Sequence, residues 1–173
     1  MSIPSGREET IGFGLVGAGM IASYYVKAIA ALAATHHVRL VGVLGRSEEK
    51  AAAFAQAHQI PFHTADAGAF FAHPGIQVAC IVTPSGAHLE PALQGIAAGK
   101  HLIVEKPLEI SVERVDTLLD AAEQAGVKVA AIFQARFSAG ARALKAAIDA
   151  GRFACLVLCS AYVKWQRSAA YYQ

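Results

Sequence analysis

From Ile11 to Val26 the chain carries no charged residue, yet Gly12, Gly14, Gly17 and Gly19 interrupt the apolar run. The segment is short of a bilayer span, and glycines so closely spaced do not belong in one continuous helix. It reads as a strand from Ile11 to Val16, a glycine turn, and a helix opening at Met20. Downstream, apolar runs alternate with helical patterns as far as about residue 134. The strand candidates are Ile11 to Val16, Val38 to Leu44, a short piece near Phe62, Val78 to Val82, His101 to Val104 and Val127 to Phe133. Between them, helical spacing covers Met20 to Ala34, Ser47 to His58, Ala65 to Ala72, Ala87 to Ala98 and Ser111 to Ala125. Ser47 and Ser111 stand where N-caps belong, with acids in the turn behind them. Gly99 and Gly126 stand where helices should end. Continuous Val/Ile/Leu strands alternating with helices predict a doubly wound α/β fold, a parallel sheet covered on both faces.

The 173 residues fit one ordinary domain and a little more. A composition 55% hydrophobic and 16% charged, with mean hydropathy +0.40, suits a sheet buried on both sides or apolar surface meant for a partner. The net charge of +2 without a basic run argues against a nucleic-acid or membrane-surface partner. Cys80, Cys155 and Cys159 lie in apolar stretches without metal spacing and read as reduced core thiols. The seven histidines show no repeated ligand spacing, so no metal site is expected. Met1 to Glu9 is polar and lacks the apolar core of a signal peptide, which with reduced thiols predicts a soluble, cytoplasmic protein.

After Gln134 the pattern changes. Ala139 to Ala150 reads as a helix closed by Gly151, and Phe153 to Lys164 as a long strand with Phe153, Cys155, Val157 and Cys159 on one face. One helix and one strand cannot bury their own apolar faces. Residues 10–135 are therefore expected to form one domain, and 136–173 to begin a second that is incomplete as it closes on Tyr171-Tyr172-Gln173. The uncovered apolar surface predicts self-association.

Gly17-Ala18-Gly19-Met20-Ile21-Ala22 matches Gly-x-Gly-x-x-Ala between strand and helix. Gly17 permits the tight turn, Gly19 lets backbone approach a pyrophosphate, and Ala22 lets helix pack on strand. The helix N-terminus supplies amide donors to the phosphates. The alternatives are a plain packing turn or another nucleotide-like ligand such as S-adenosylmethionine. At the end of the second strand, Leu44-Gly45-Arg46-Ser47 contains no acid to take ribose hydroxyls. Arg46 can pair with a 2′-phosphate and Ser47 can hydrogen-bond it, which favours NADP over NAD; the alternative is a solvated arginine at a helix start.

The strand His101 to Val104 ends in Glu105-Lys106-Pro107. Taken alone this is a local ion pair capping a strand, or a lysine whose apolar surroundings fit it for proton work. Together with Val82-Thr83-Pro84-Ser85-Gly86-Ala87-His88 before it, Gln134-Ala135-Arg136-Phe137 after it, and the glycine turn, it resembles the Gfo/Idh/MocA oxidoreductases from residue 10 onward. The resemblance implies a Rossmann domain that binds NAD(P), Met20 and Ile21 in its phosphate turn included, followed by an α/β domain that shapes the substrate site and often mediates oligomers. It implies that Thr83, Pro84, Ser85 and His88 line the cofactor cleft. Glu105, Lys106 and Pro107 would lie beside the nicotinamide, the proline often cis and Lys106 at the substrate oxygen. Gln134 and Arg136 would border the nicotinamide end, and Trp165 and Arg167 resemble a further cofactor-edge segment. Read alone, Thr83-Pro84-Ser85 is also a helix start, and His88 a helix-surface residue. The implied chemistry is hydride transfer to or from a hydroxyl-bearing carbon of a sugar or polyol, in a homo-oligomer. The family's acid and histidine on a second-domain helix have no counterpart here, so a non-catalytic dinucleotide-binding module is the competing expectation.

Overall fold

Alternation of strand and helix carries from Ile11 to Ala131. The computed structural model describes residues 10–169; Met1 to Glu9 and Tyr171-Tyr172-Gln173 lie outside them. The chain divides at Phe133 and Gln134 into two compact units.

In the first unit, β1 (Ile11–Val16), β2 (Val38–Leu44), β3 (Phe62–Thr64), β4 (Val78–Ile81), β5 (His101–Val104) and β6 (Val129–Ala131) form one sheet in the order β3-β2-β1-β4-β5-β6. Every pairing is parallel. The helices are α1 (Met20–Ala33), α2 (Glu48–His58), α3 (Ala67–Ala72), α4 (Leu89–Ala97) and α5 (Val112–Ala125). This is the doubly wound arrangement, with β1 and β4 side by side at its centre.

Successive strand residues feed opposite faces of the sheet. Leu15, Val43 and Cys80 enter one core with Ala22, Ile29 and Ile60. Val16, Leu44 and Ile81 enter the other with Phe70, Ile76 and Leu118. β1 can afford no side chain at Gly14, where a Cβ would stand 2.6 Å from the Phe70 ring.

The helix ends follow local chemistry. Ser47 accepts from the Lys50 amide and Ser111 from the Arg114 amide, so both are N-caps. The third helix starts at Ala67 rather than Ala65, because Asp66 caps it by accepting from Gly68 and Ala69. Gly126 closes α5 with φ +67°. The fourth helix begins at Leu89, not at Ala87 or Thr83, since residues 83–88 form a turn fixed by the Ala87 amide on the Pro84 carbonyl. β6 is shorter than the run from Val127 to Phe133. It is an edge strand, and β5 offers pairing to Val129, Ala130 and Ala131.

The second unit holds a 3-10 turn, Gln134–Phe137, and α6 (Ala139–Asp149), capped by Ser138. The strand expected from Phe153 to Lys164 does not form. A strand needs a neighbour to take its backbone N–H and C=O groups, and none of the sheet pairings includes this segment. Cys155 and Cys159 are accordingly exposed; of the three cysteines only Cys80 is a core thiol. No helix among the described residues is long and apolar enough to cross a membrane, and no cluster among them could hold a metal ion.

Candidate functional site

The carboxyl ends of β1, β2 and β4 open into a cleft of about 880 Å³. It lies where the chain order reverses, β1 leading to β2 on one side while β4 flanks it on the other. Open α/β sheets bind ligands at this position.

The turn after β1 forms its floor. Gly17 has φ +115°, its amide donates to the Leu44 carbonyl at 2.8 Å, and a Cβ there would meet the Val82 carbonyl oxygen at 3.1 Å. Glycine at this position lets β1, β2 and β4 converge. Gly19 is the N-cap of α1 and bears no side chain to cap it; a Cβ there would meet nothing within 4 Å. The first turn of α1 contains no acid, so a bare, positive helix end faces open space flanked by Met20 and Ile21. Ala22 is fully buried behind it.

The β2 end supplies Arg46, and the first turn of α2 supplies Lys50, both on the cleft. Ser47 caps α2 and is not among the lining residues. Glu48 could have cancelled this charge, but its carboxylate is drawn aside to His63 Nδ1 at 2.8 Å and the Ala65 amide at 2.9 Å. On the β4 side, Thr83, Pro84 and Ala87 line the cleft, with Glu90 and Gln94 of α4.

Beyond that wall lies the loop after β5. The Lys106–Pro107 peptide is cis. Glu105 accepts the Tyr25 hydroxyl on one oxygen and the Lys106 amide on the other, both at 3.1 Å. Lys106 itself is exposed, not crowded by apolar neighbours.

His88 does not line the cleft. It is 1% exposed, and its ring spans two loops, with Nε2 2.9 Å from the Thr83 carbonyl and Nδ1 2.9 Å from that of Pro107. Nor is it a helix-surface residue. Ser85 is exposed in the turn and is not among the lining residues. Glu109 completes the junction. Its fully buried side chain accepts from the amides of His88, Leu89 and Ile110 and from Arg114, which also grips Glu90 at 2.9 Å. The Arg114 guanidinium, aided by those amides, holds the Glu109 carboxyl at about 2 against the opposing effect of burial.

Gln134 and Arg136 lie in the 3-10 turn, and Trp165 with Arg167 further along, all in the second unit. The Arg167 guanidinium stands 5.1 Å from the centre of the Trp165 ring.

Residues 11–133 match the model of an oxidoreductase family with an NAD-binding Rossmann fold. The chain belongs to the Gfo/Idh/MocA oxidoreductase family. Among its relatives, this Gfo/Idh/MocA chain is 34% identical over 143 residues to inositol 2-dehydrogenase of Rhizobium meliloti, covering 83% of this chain and 42% of that one. It is 33% identical over 140 residues to 1,5-anhydro-D-fructose reductase of Ensifer adhaerens, covering 81% and 41%. Among solved structures, the WlbA dehydrogenase of Bordetella pertussis in complex with NADH and UDP-GlcNAcA superposes with a TM-score of 0.77 at 28% identity, over 83% of this chain and 42% of that one. The chain thus spans about two-fifths of the length of these relatives.

The residues present fit the family's nicotinamide dinucleotide. The bare N-terminus of α1 and the open space over Gly19 could hold its phosphate groups, and the cations at the β2 end leave that site without a carboxylate to oppose them.

Tyr25, Lys50, Glu90, Glu109 and Arg114 were not foreseen from the sequence. Lys50 had a signal, since the N-cap at Ser47 places it in the first turn of α2 beside Arg46. Ile110 and Arg114 are near Glu109 in sequence, but the amides of His88 and Leu89 come from 20 or more positions away, a relation no local pattern displays.

Proposed function

We propose that this chain is the cofactor-binding part of an NADP-preferring oxidoreductase that moves hydride between a nicotinamide and a hydroxyl-bearing carbon of a sugar or polyol. One observation carries the reading: Arg46 and Lys50 share the cleft with the Gly17–Ile21 turn while Glu48 is tethered away. A 2′-phosphate would find two cations and no carboxylate at the β2 end. The amides at the α1 N-terminus would take the pyrophosphate. The cofactor supplies the hydride chemistry when bound. Lys106 would polarise the substrate oxygen or hold its proton, and the junction of His88, Glu109 and Arg114 would keep the loop bearing Lys106 fixed to the β4 wall. Residues 136–173 would begin the substrate-shaping domain. Relatives that reduce or oxidise inositol and anhydrofructose support the substrate class.

Titration with NADPH and NADH, read by cofactor fluorescence, tests this. NADPH should bind more tightly, and Arg46→Ala should weaken NADPH by about ten-fold while sparing NADH, the scale of one hydrogen bond to a charged group. Preference for NADH would reverse the cofactor assignment, and binding of neither would remove the reading. NADPH binding without turnover on a panel of polyols would mark a binding module, which the coverage of two-fifths of the relatives' length also accommodates.

A further inference from the structure

Glu105 and Lys106 are consecutive, so the carboxylate is a ready counter-ion for the neighbouring ammonium. It is turned to other work. One oxygen takes the Tyr25 hydroxyl from α1, and the other takes the backbone amide of Lys106. Tyr25 packs against the core formed by Leu15, Ala22 and Cys80, on the helix whose first turn faces the cleft. Burial, and then the nearby Glu105 charge, push the phenol's ionisation well above its ordinary range, so the hydroxyl stays a donor. The far side of the same loop is clamped by His88 and Glu109.

We propose that Tyr25 is a positioning residue for Lys106: by holding Glu105 against α1, its hydroxyl keeps the adjacent carboxylate from pairing with the lysine's ammonium group. The inference rests on the proposed role of Lys106 at the substrate oxygen, since an ammonium engaged by its neighbour is less available to a substrate. It also links the phosphate-binding helix to the reacting end of the cleft through one hydrogen bond.

Trace labelling of the full chain with acetic anhydride at pH 8, read by peptide mass spectrometry, reports the amine reactivity of Lys106 against exposed Lys128 as internal reference. Tyr25→Phe keeps the ring in the core and removes only the hydroxyl. It should lower the Lys106/Lys128 labelling ratio about three-fold, the scale of one solvent-accessible ion pair. Adding Glu105→Gln to that variant should restore the ratio, which recovery from a packing defect would not do. Glu105→Gln alone should leave it at or above the wild-type value. An unchanged ratio in Tyr25→Phe overturns the proposal. So does a low ratio that persists in the double variant, or a fall in Glu105→Gln alone. None of these outcomes depends on cofactor binding, so failure of the NADPH titration and failure of this inference are told apart.

Discussion

Gly17 and Gly19 stand two residues apart in the phosphate turn, yet alanine should act differently at each. Gly17→Ala would put a Cβ on a residue with φ +115° and 3.1 Å from the Val82 carbonyl oxygen. That strain should cost about 1–3 kcal/mol, seen as a lower urea midpoint with an unchanged slope. Gly19 has φ −95° and open space around it, so Gly19→Ala should cost less than about 1 kcal/mol. Because the space it fills is the proposed pyrophosphate site, the same change should nonetheless weaken NADPH binding in a fluorescence titration. Stability falling as far at Gly19 as at Gly17 would count against this division. The cysteines offer a second contrast. Burial pushes the Cys80 thiol up to about 12, whereas Cys155 and Cys159 are exposed. With a thiol reagent at pH 8, two cysteines should react in the native protein and the third only after denaturant is added.

Among the elements, the junction of the β4 and β5 loops with α4 and α5 has most of the buried polar chemistry. Glu109 carries a negative charge with no exposed side-chain surface, satisfied by three amides and Arg114. Its folded-state value of about 2 lies below the ordinary 4.5. A depressed acid contributes stability that is present above its unfolded value and lost as pH falls through the folded one. Wild-type stability should therefore drop between about pH 4.5 and pH 2, and thermal melts of Glu109→Gln should be flatter across that window. At neutral pH the variant should be destabilised by about 3 kcal/mol, because Arg114 loses a buried partner. The helices and inner strands were legible because caps and apolar periodicity are local signals. Ser47, Ser111 and Gly126 each act within four residues of themselves. The role of His88 was not legible: its ring contacts lie at Thr83 and Pro107, and only the folded chain brings those loops together.

At the scale of the molecule, both cores belong to the first unit, and no described residue from 134 to 169 is buried. Leu144, Phe153, Leu158, Tyr162 and Trp165 are exposed, and Val157 is 92% exposed. Surface of this kind favours association. The full chain should therefore scatter light as an oligomer with rising concentration, while a chain ending at Phe133 should stay monomeric and retain its thermal transition. A monomeric full chain would remove the association. The sequence by itself determined the layered α/β class, the strand and helix succession and the phosphate turn, since apolar spacing, caps and turn residues are all local signals. Tertiary structure decided that Glu48 leaves Arg46 and Lys50 uncancelled, that His88 is a buried bridge, and that Glu105 belongs to Tyr25. It also decided that residues 153–164 form no strand here, because a strand exists only where another strand takes its hydrogen bonds.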